Sequence, residues 1–473
     1  MKNSQFIDLY LILNQRQRKD FRNYLASPLF NTNSKLVIYQ EKIDQFLDLG
    51  IDQLKSRLFK YLYPNEIYKD VKLRLLFSEL LKHLKNYIYI EEKQNQDQDR
   101  ELSFIRFLRK GQKINLFEKQ ANAFRKEILS KKNNWNPDHF ELRYQVDLEL
   151  LSYESTKNRF SYYDFAESSE TIEVSSMLKR LRIYLEQLSH ESIGATSMEY
   201  PFIQPWVDYA ESKNWSKYPE VHIYLLALKM YREPDEESHF NEYLLLIRKY
   251  ENDFDFERGR EIFLTALNYC IRKINKNNTQ FFKQTMDLFQ HCVRTGWLLD
   301  YGVMSSLTYK NIIALCIRMK DLELAIKLLN EYKNLVNPIG RTTIYNFNLA
   351  KIYKEQGNFN QALYLLNTSV FKDPLIELNA RVEMIKIYFE IKEERLMHNQ
   401  IIATQNLIKR SKKLGYHKEY YNNFLNAAHR LYLTKKLTTL DKEAWLQSIK
   451  GNNHLIEKGW LYSMVDKIKS SKE

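Results

Sequence analysis

Turn-forming residues are scarce in this chain. Its 473 residues include 11 Gly and 9 Pro. Sheet proteins and enzymes built on glycine-rich loops need more of both, so an all-α protein is expected. Proline lacks a backbone donor and clashes inside a helix, so each Pro marks a helix start or break. None occurs between Pro234 and Pro338 or after Pro374, which leaves long stretches open to helix. Cysteine is scarcer still. Cys270, Cys292 and Cys316 are too few and too widely spaced for a disulfide framework or a zinc site. They fall on apolar helix faces and read as buried free thiols. No apolar run approaches the ~20 residues that a membrane span needs. The first residues lack a secretory h-region, and no Cys precedes Cys270 to carry a lipid anchor. A cytoplasmic protein with no membrane partner is expected.

The motifs of common chemistries are missing as well. Neither GxGxxG nor GxxxxGK[ST] occurs, so no phosphate loop is in view. HExxH and GxSxG are absent. The ten His are scattered singly. His83, His222 and His429 fall within expected helices and read as surface or hydrogen-bonded side chains. Cys292 follows His291, but neighbours in a helix point about 100° apart and make no nucleophile–base couple. Asp97-Gln98-Asp99 lacks the glycine and final glutamate of a calcium loop. No catalytic or metal-binding residue and no cofactor is assigned, and a non-enzymatic protein is expected.

Large rings and charge are what the chain has instead. The 33 Tyr, 26 Phe and 6 Trp suit helix–helix seams filled by rings with a polar tip. The net charge is +13, unevenly spread. Residues 1–135 hold 26 Lys and Arg against 16 Asp and Glu, residues 136–300 hold 19 against 27, and residues 301–473 hold 27 against 16. Two basic ends flank an acidic middle. A nucleic acid, an acidic peptide or another copy of the chain could read that pattern, and so could nothing but water.

Helical periodicity and stop signals divide the chain into three parts. Residues 1–134 form an N-terminal helical module. Its helices are expected at 6–25, 35–49, 51–63, 69–92, 101–110 and 115–130, with Gly50 as a stop, a polar loop or frayed helix at 94–100, and a linker at 131–134. Residues 135–219 connect, with helices at 138–153 and 172–189 and irregular chain around Gly194, Pro201 and Pro205. Residues 220–473 form a repeat array, closed by helices at 419–434, 441–449 and 458–468.

The array is clearest at residues 346–374. Two apolar-faced helices flank the turn Gly357-Asn358, and Pro374 closes the unit. Ala350 and Ala362 stand where the paired helices would cross closest, and Gly357 permits the turn. With Tyr353 between them, these residues resemble the tetratricopeptide pattern. That resemblance implies a right-handed α–α superhelix, a solenoid of helical hairpins that bury their faces on their neighbours. The aromatic or apolar marker of the first helix recurs as Tyr231, Tyr269, Cys316, Tyr353 and Tyr388, at steps of 38, 47, 37 and 35 residues. A strict array would step by 34. Downstream, Lys392 and Met397 replace the expected Gly and Ala. The N-terminal third also resembles an uncharacterised group of bacterial helical-repeat proteins, through Ser27-Pro28-Leu29-Phe30-Asn31 and the helix 68–74. No activity comes with that likeness.

In tetratricopeptide arrays the first helix of each hairpin lines a concave groove. Carried onto this chain, the resemblance implies that Lys229, Arg232, Arg260, Lys310, Phe347, Lys351, Lys354, Asn379 and Lys386 face it. A cationic groove with apolar pockets suits an extended acidic peptide or a terminal carboxylate. Lys351 and Lys354 lie one turn apart and could hold one anionic group together. A protein-interaction scaffold is therefore the expected function. The alternative is a nucleic-acid-binding repeat protein, with Arg106, Arg109, Lys110 and Lys113 clustered near one loop. Self-association of the acidic middle with a basic end is a further possibility.

Overall fold

The computed structural model describes residues 4–47, 51–94, 97–130, 137–157, 165–192, 203–215, 217–411, 414–415, 417–434, 436–452 and 454–468. Among these the chain is all-helical apart from one short β-hairpin, and its helices pack mainly on sequence neighbours. Two compact units divide at Ile183/Tyr184. The linker expected at 131–134, Gly50, Gly194 and Pro201 lie outside the described residues.

The first unit begins with α1 (Gln5–Tyr10), α2 (Gln15–Ala26), α3 (Lys35–Phe46), α4 (Ile51–Leu62) and α5 (Asp70–Gln94). Their apolar faces close on a shared core of Phe6, Tyr10, Phe21, Leu36, Leu58, Leu73 and Phe77. The single helix expected at 6–25 is two. Asn14 accepts from the backbone N–H of Gln17, whose side chain accepts from Asn14 in return, so a capping box restarts the helix there. Ile12 is 76% exposed in the turn between α1 and α2. The unit continues with α6 (Asp97–Lys110), α7 (Ile114–Ser130), α8 (Pro137–Lys157) and most of α9 (Phe165–Ser192). Of the polar stretch 94–100, residues 95–96 lie outside the described residues, and 97–100 form the first turn of α6, whose following turns bury Leu102, Ile105 and Leu108 with Phe117 and Phe124.

The second unit opens with α10 (Ile203–Ser212), inside a stretch expected to be irregular. Pro205 is tolerated there because the first-turn N–H groups have no intrahelical partner to lose. Hairpins follow in order: α11 (Pro219–Arg232) with α12 (Glu237–Lys249), α13 (Phe256–Asn275) with α14 (Phe281–Arg294), α15 (Ser306–Arg318) with α16 (Leu322–Glu331), α17 (Arg341–Glu355) with α18 (Phe359–Thr368), and α19 (Pro374–Glu390) with α20 (Glu394–Arg410). Then come α21 (His417–Leu433), α22 (Thr439–Gly451) and α23 (Lys458–Asp466), at the places expected for the closing helices. All five marker residues sit in the first helix of a hairpin. The long step from Tyr269 to Cys316 has a physical cause: α13 is 20 residues long, and a β-hairpin separates α14 from α15. It pairs β1 (Leu299–Asp300) with β2 (Val303–Met304). Tyr301 and Gly302, at φ 47° and 78°, form its tight turn.

The turn within a hairpin is the most regular feature of the array. Gly357 has φ 78°. Its N–H donates to Lys354 O at 3.0 Å, and that of Asn358 donates to Tyr353 O at 2.8 Å. This double bond pattern satisfies two carbonyls that the helix end would otherwise leave open. The same pair recurs at Lys320 (φ 60°), onto Ile317 and Cys316, and at Lys392 (φ 62°), onto Phe389 and Tyr388. The glycine missing from the sequence at position 392 therefore cost the array no turn. A lysine adopts the left-handed conformation instead, at about 1 kcal/mol. Ala325, Ala350 and Ala362 are all buried, and the ring of Tyr269 stacks on Phe240 at 4.6 Å.

Candidate binding face

Within the second unit the first helices α15, α17 and α19 also pack on one another in order, and the layer continues from α19 onto α21 and from α21 onto α23. They form a continuous layer, and charged side chains gather on it. Glu383 of α19 is at the centre, with its side chain 5% exposed. It accepts from Lys354 Nζ of α17 at 2.8 Å and from Lys386 Nζ at 3.2 Å, with Lys351 Nζ at 3.9 Å. Burial alone would push its carboxyl up, but Lys386, Lys354 and Lys351 outweigh it and hold Glu383 well below the usual carboxylate range. Lys386 is equally buried. It also donates to Glu457 Oε2 at 2.9 Å, from the residue that begins α23. Burial alone would lower the Lys386 ammonium, while Glu383 and Glu457 together raise it.

The sequence placed Lys351 and Lys354 where they could hold one anionic group. They do converge on one carboxylate, and it is Glu383 of the neighbouring helix. Lys354 also meets Glu355 at 3.2 Å, which completes its pairing. Lys310 of α15 differs. It makes no ion pair among the described residues, and its ammonium is held down first by burial and then by the charge of Lys351. Lys229 is half-buried and likewise forms no ion pair among the described residues. Asn379 accepts from the buried Tyr421 hydroxyl at 3.0 Å. Phe347 is 2% exposed and meets Phe371 edge-on, so it supports the face from beneath. Arg232 lies apart, donating to Gln204 Oε1 at 2.9 Å. Arg260 is 3.6 Å from Asp300 of β1.

Glu383, Glu457 and Tyr421 were missed by sequence reading. Glu383 carried one usable signal, its three-residue offset from Lys386 on a helix, a spacing that pairs side chains. Glu457 carried none, because 71 residues separate it from Lys386. A second buried pair lies at the start of the array. Glu220 accepts from Arg258 Nη1 at 2.9 Å, and Arg258 also binds Asp255 at 2.8 Å. Burial pushes the Glu220 carboxyl up to about 7, against the pull of Arg258.

The remaining chemical candidates are quiet. Cys270, Cys292 and Cys316 are buried and unpaired, each thiol pushed up to about 12 by burial. In the first unit, Arg106 and Arg109 donate to the two oxygens of Glu149 at 3.1 and 2.6 Å, while Lys110 and Lys113 are exposed. Among the described residues no three His, Cys, Asp or Glu side chains are grouped to hold a metal, and no helix is long and apolar enough to cross a membrane. No family model and no curated protein matches the chain.

Proposed function

We propose that the chain is a non-enzymatic interaction scaffold of the tetratricopeptide-like kind, binding an extended acidic protein segment along the first-helix layer of its second unit. That layer is read as the inner, concave side. Its helices pack on one another as well as on their hairpin partners, which draws them together. The observation that carries the reading is the surplus of cations there. Lys310 has no carboxylate of its own and Lys351 only a distant share in Glu383. Two ammonium groups held near a polar, half-buried surface favour a ligand that brings negative charge.

Fluorescence anisotropy with a labelled oligoglutamate peptide tests this. The wild-type chain is expected to bind it, with affinity falling as salt rises. Replacing both Lys310 and Lys351 by Glu reverses the charge without touching Lys354 or Lys386. A loss of roughly tenfold or more in affinity is expected; equal binding by both proteins would sink the proposal. Nucleic-acid binding by the basic cluster of the first unit is less well supported, because Glu149 already engages Arg106 and Arg109.

A further inference from the structure

We propose that Glu457 is a built-in competitor on this face, a resident carboxylate that an acidic side chain of the bound segment must displace. The idea rests on the binding face proposed above. It starts from an oddity of backbone. Glu457 stands at the N-cap of α23 with φ 54°, in the left-handed region, and its side chain caps nothing. An N-cap side chain ordinarily turns back to accept from the first N–H groups of its own helix. This one reaches across to Lys386 Nζ of α19 instead. Its charge is also felt by Lys310 and Arg318 of α15 and by Tyr421 of α21. One carboxylate thus serves cations and a phenol from three helices, α15, α19 and α21, where an incoming acidic group would be drawn.

The two carboxylates of the network are not equivalent. Glu383 is 5% exposed and locked between lysines, whereas the Glu457 side chain is 35% exposed. Removing Glu383 would take away the one carboxylate that Lys351, Lys354 and Lys386 share. Moving Glu457 aside would not, and another carboxylate can take its place. The occupant that fits is a peptide segment carrying Glu or Asp, because the exchange is then one carboxylate for another at Lys386, and a second acidic residue could pair directly with Lys310, which has no ion pair among the described residues. A face that is partly self-occupied binds with an apparent affinity reduced by the fraction of time it is open.

The experiment compares four full-length proteins with the same oligoglutamate probe: wild type, Glu457→Gln, Lys310→Glu with Lys351→Glu, and the triple variant. Glu457→Gln is expected to bind roughly tenfold more tightly than wild type, and the triple variant to fall back to the level of the double. Hydrogen exchange gives a second readout on the wild type. Residues 454–461 should lose protection when the peptide binds. Unchanged or weaker binding by Glu457→Gln, or unchanged protection, overturns the role of Glu457, while a loss in the Lys310/Lys351 variant leaves the binding face standing. Equal binding by all four, or none by any, overturns both.

Discussion

Each unit buries a carboxylate among cations, and the two respond oppositely. Asp147 in the first unit is 1% exposed and accepts from Arg125 Nε at 2.7 Å, with Arg143 nearby. Burial dominates, and its carboxyl is raised in spite of both arginines. Glu383 in the second unit is just as buried, yet three lysines drive it down. The distinction lies in how the cations are shared. Arg125 divides its guanidinium between Asp147 and Glu167, and Arg143 also turns to Glu167. The planar fork of arginine suits such bridging, and the first unit uses it as a strut. Lysine is a point charge, and the second unit crowds several around one acid. A strut is neutral when finished. The crowd of lysines around Glu383 draws in two more carboxylates, Glu355 and Glu457, from outside the pair.

The largest expected effect is at Glu383. Glu383→Gln leaves the buried Lys354 and Lys386 with only the more exposed Glu355 and Glu457 as partners, and breaking a buried pair costs about 3–5 kcal/mol. A urea unfolding midpoint shift showing a loss below about 1 kcal/mol would mean that the lysines relax into water, and the contrast with Asp147 would fail. Next is Glu220, which behaves like Asp147 because burial outweighs its arginine partner. Its folded value is raised to about 7, so the folded chain keeps a proton that the unfolded chain has lost. Stability from this group is complete below the ordinary glutamate range and is lost as pH rises to about 7, by about 3 kcal/mol in all. Glu220→Gln should flatten that decline; an identical slope in the variant would remove Glu220 from the comparison. Glu383 has the opposite sign, its contribution disappearing only as pH falls below the ordinary glutamate range.

Smaller effects separate charge from backbone. Lys392→Gly relieves the left-handed lysine at the end of α19, the helix that carries Glu383 and Lys386, and should raise stability by about 1 kcal/mol in thermal unfolding. A decrease would show that the Lys392 side chain contributes a contact worth more than the strain. Smallest is Glu149→Gln. Arg106 and Arg109 are 43% and 31% exposed and would stay solvated, so a loss of no more than about 1 kcal/mol is expected. A larger loss would make the struts of the first unit as demanding as the crowd in the second.

The fold was legible wherever it is written locally. The hairpin at 346–374, its Gly357 turn, the buried Ala350 and Ala362 and the five marker residues are all matters of helical period and local sterics. Failures came where local rules compete. Asn14 restarts a helix inside an apolar run, Pro205 hides a helix start, and Tyr301-Gly302 makes a turn too short to stand out. The charged layer was only partly foreseen. The tetratricopeptide resemblance pointed to Lys310, Lys351, Lys354 and Lys386, but not to the acid that three of them share. Which carboxylate a lysine meets depends on the stacking of hairpins, and Glu457 arrives from a helix two hairpins further on.

The buried thiols give the molecule a silent alarm. Cys270, Cys292 and Cys316 lie on three consecutive helices of the array, α13, α14 and α15, and the first unit contains no cysteine. With each thiol pushed up to about 12 and out of water, the intact array offers an alkylating reagent almost no thiolate. Reaction at neutral pH must wait until hairpins part. The rate at which the chain takes up label is therefore a clock for the opening of its second unit alone, whatever the first unit is doing.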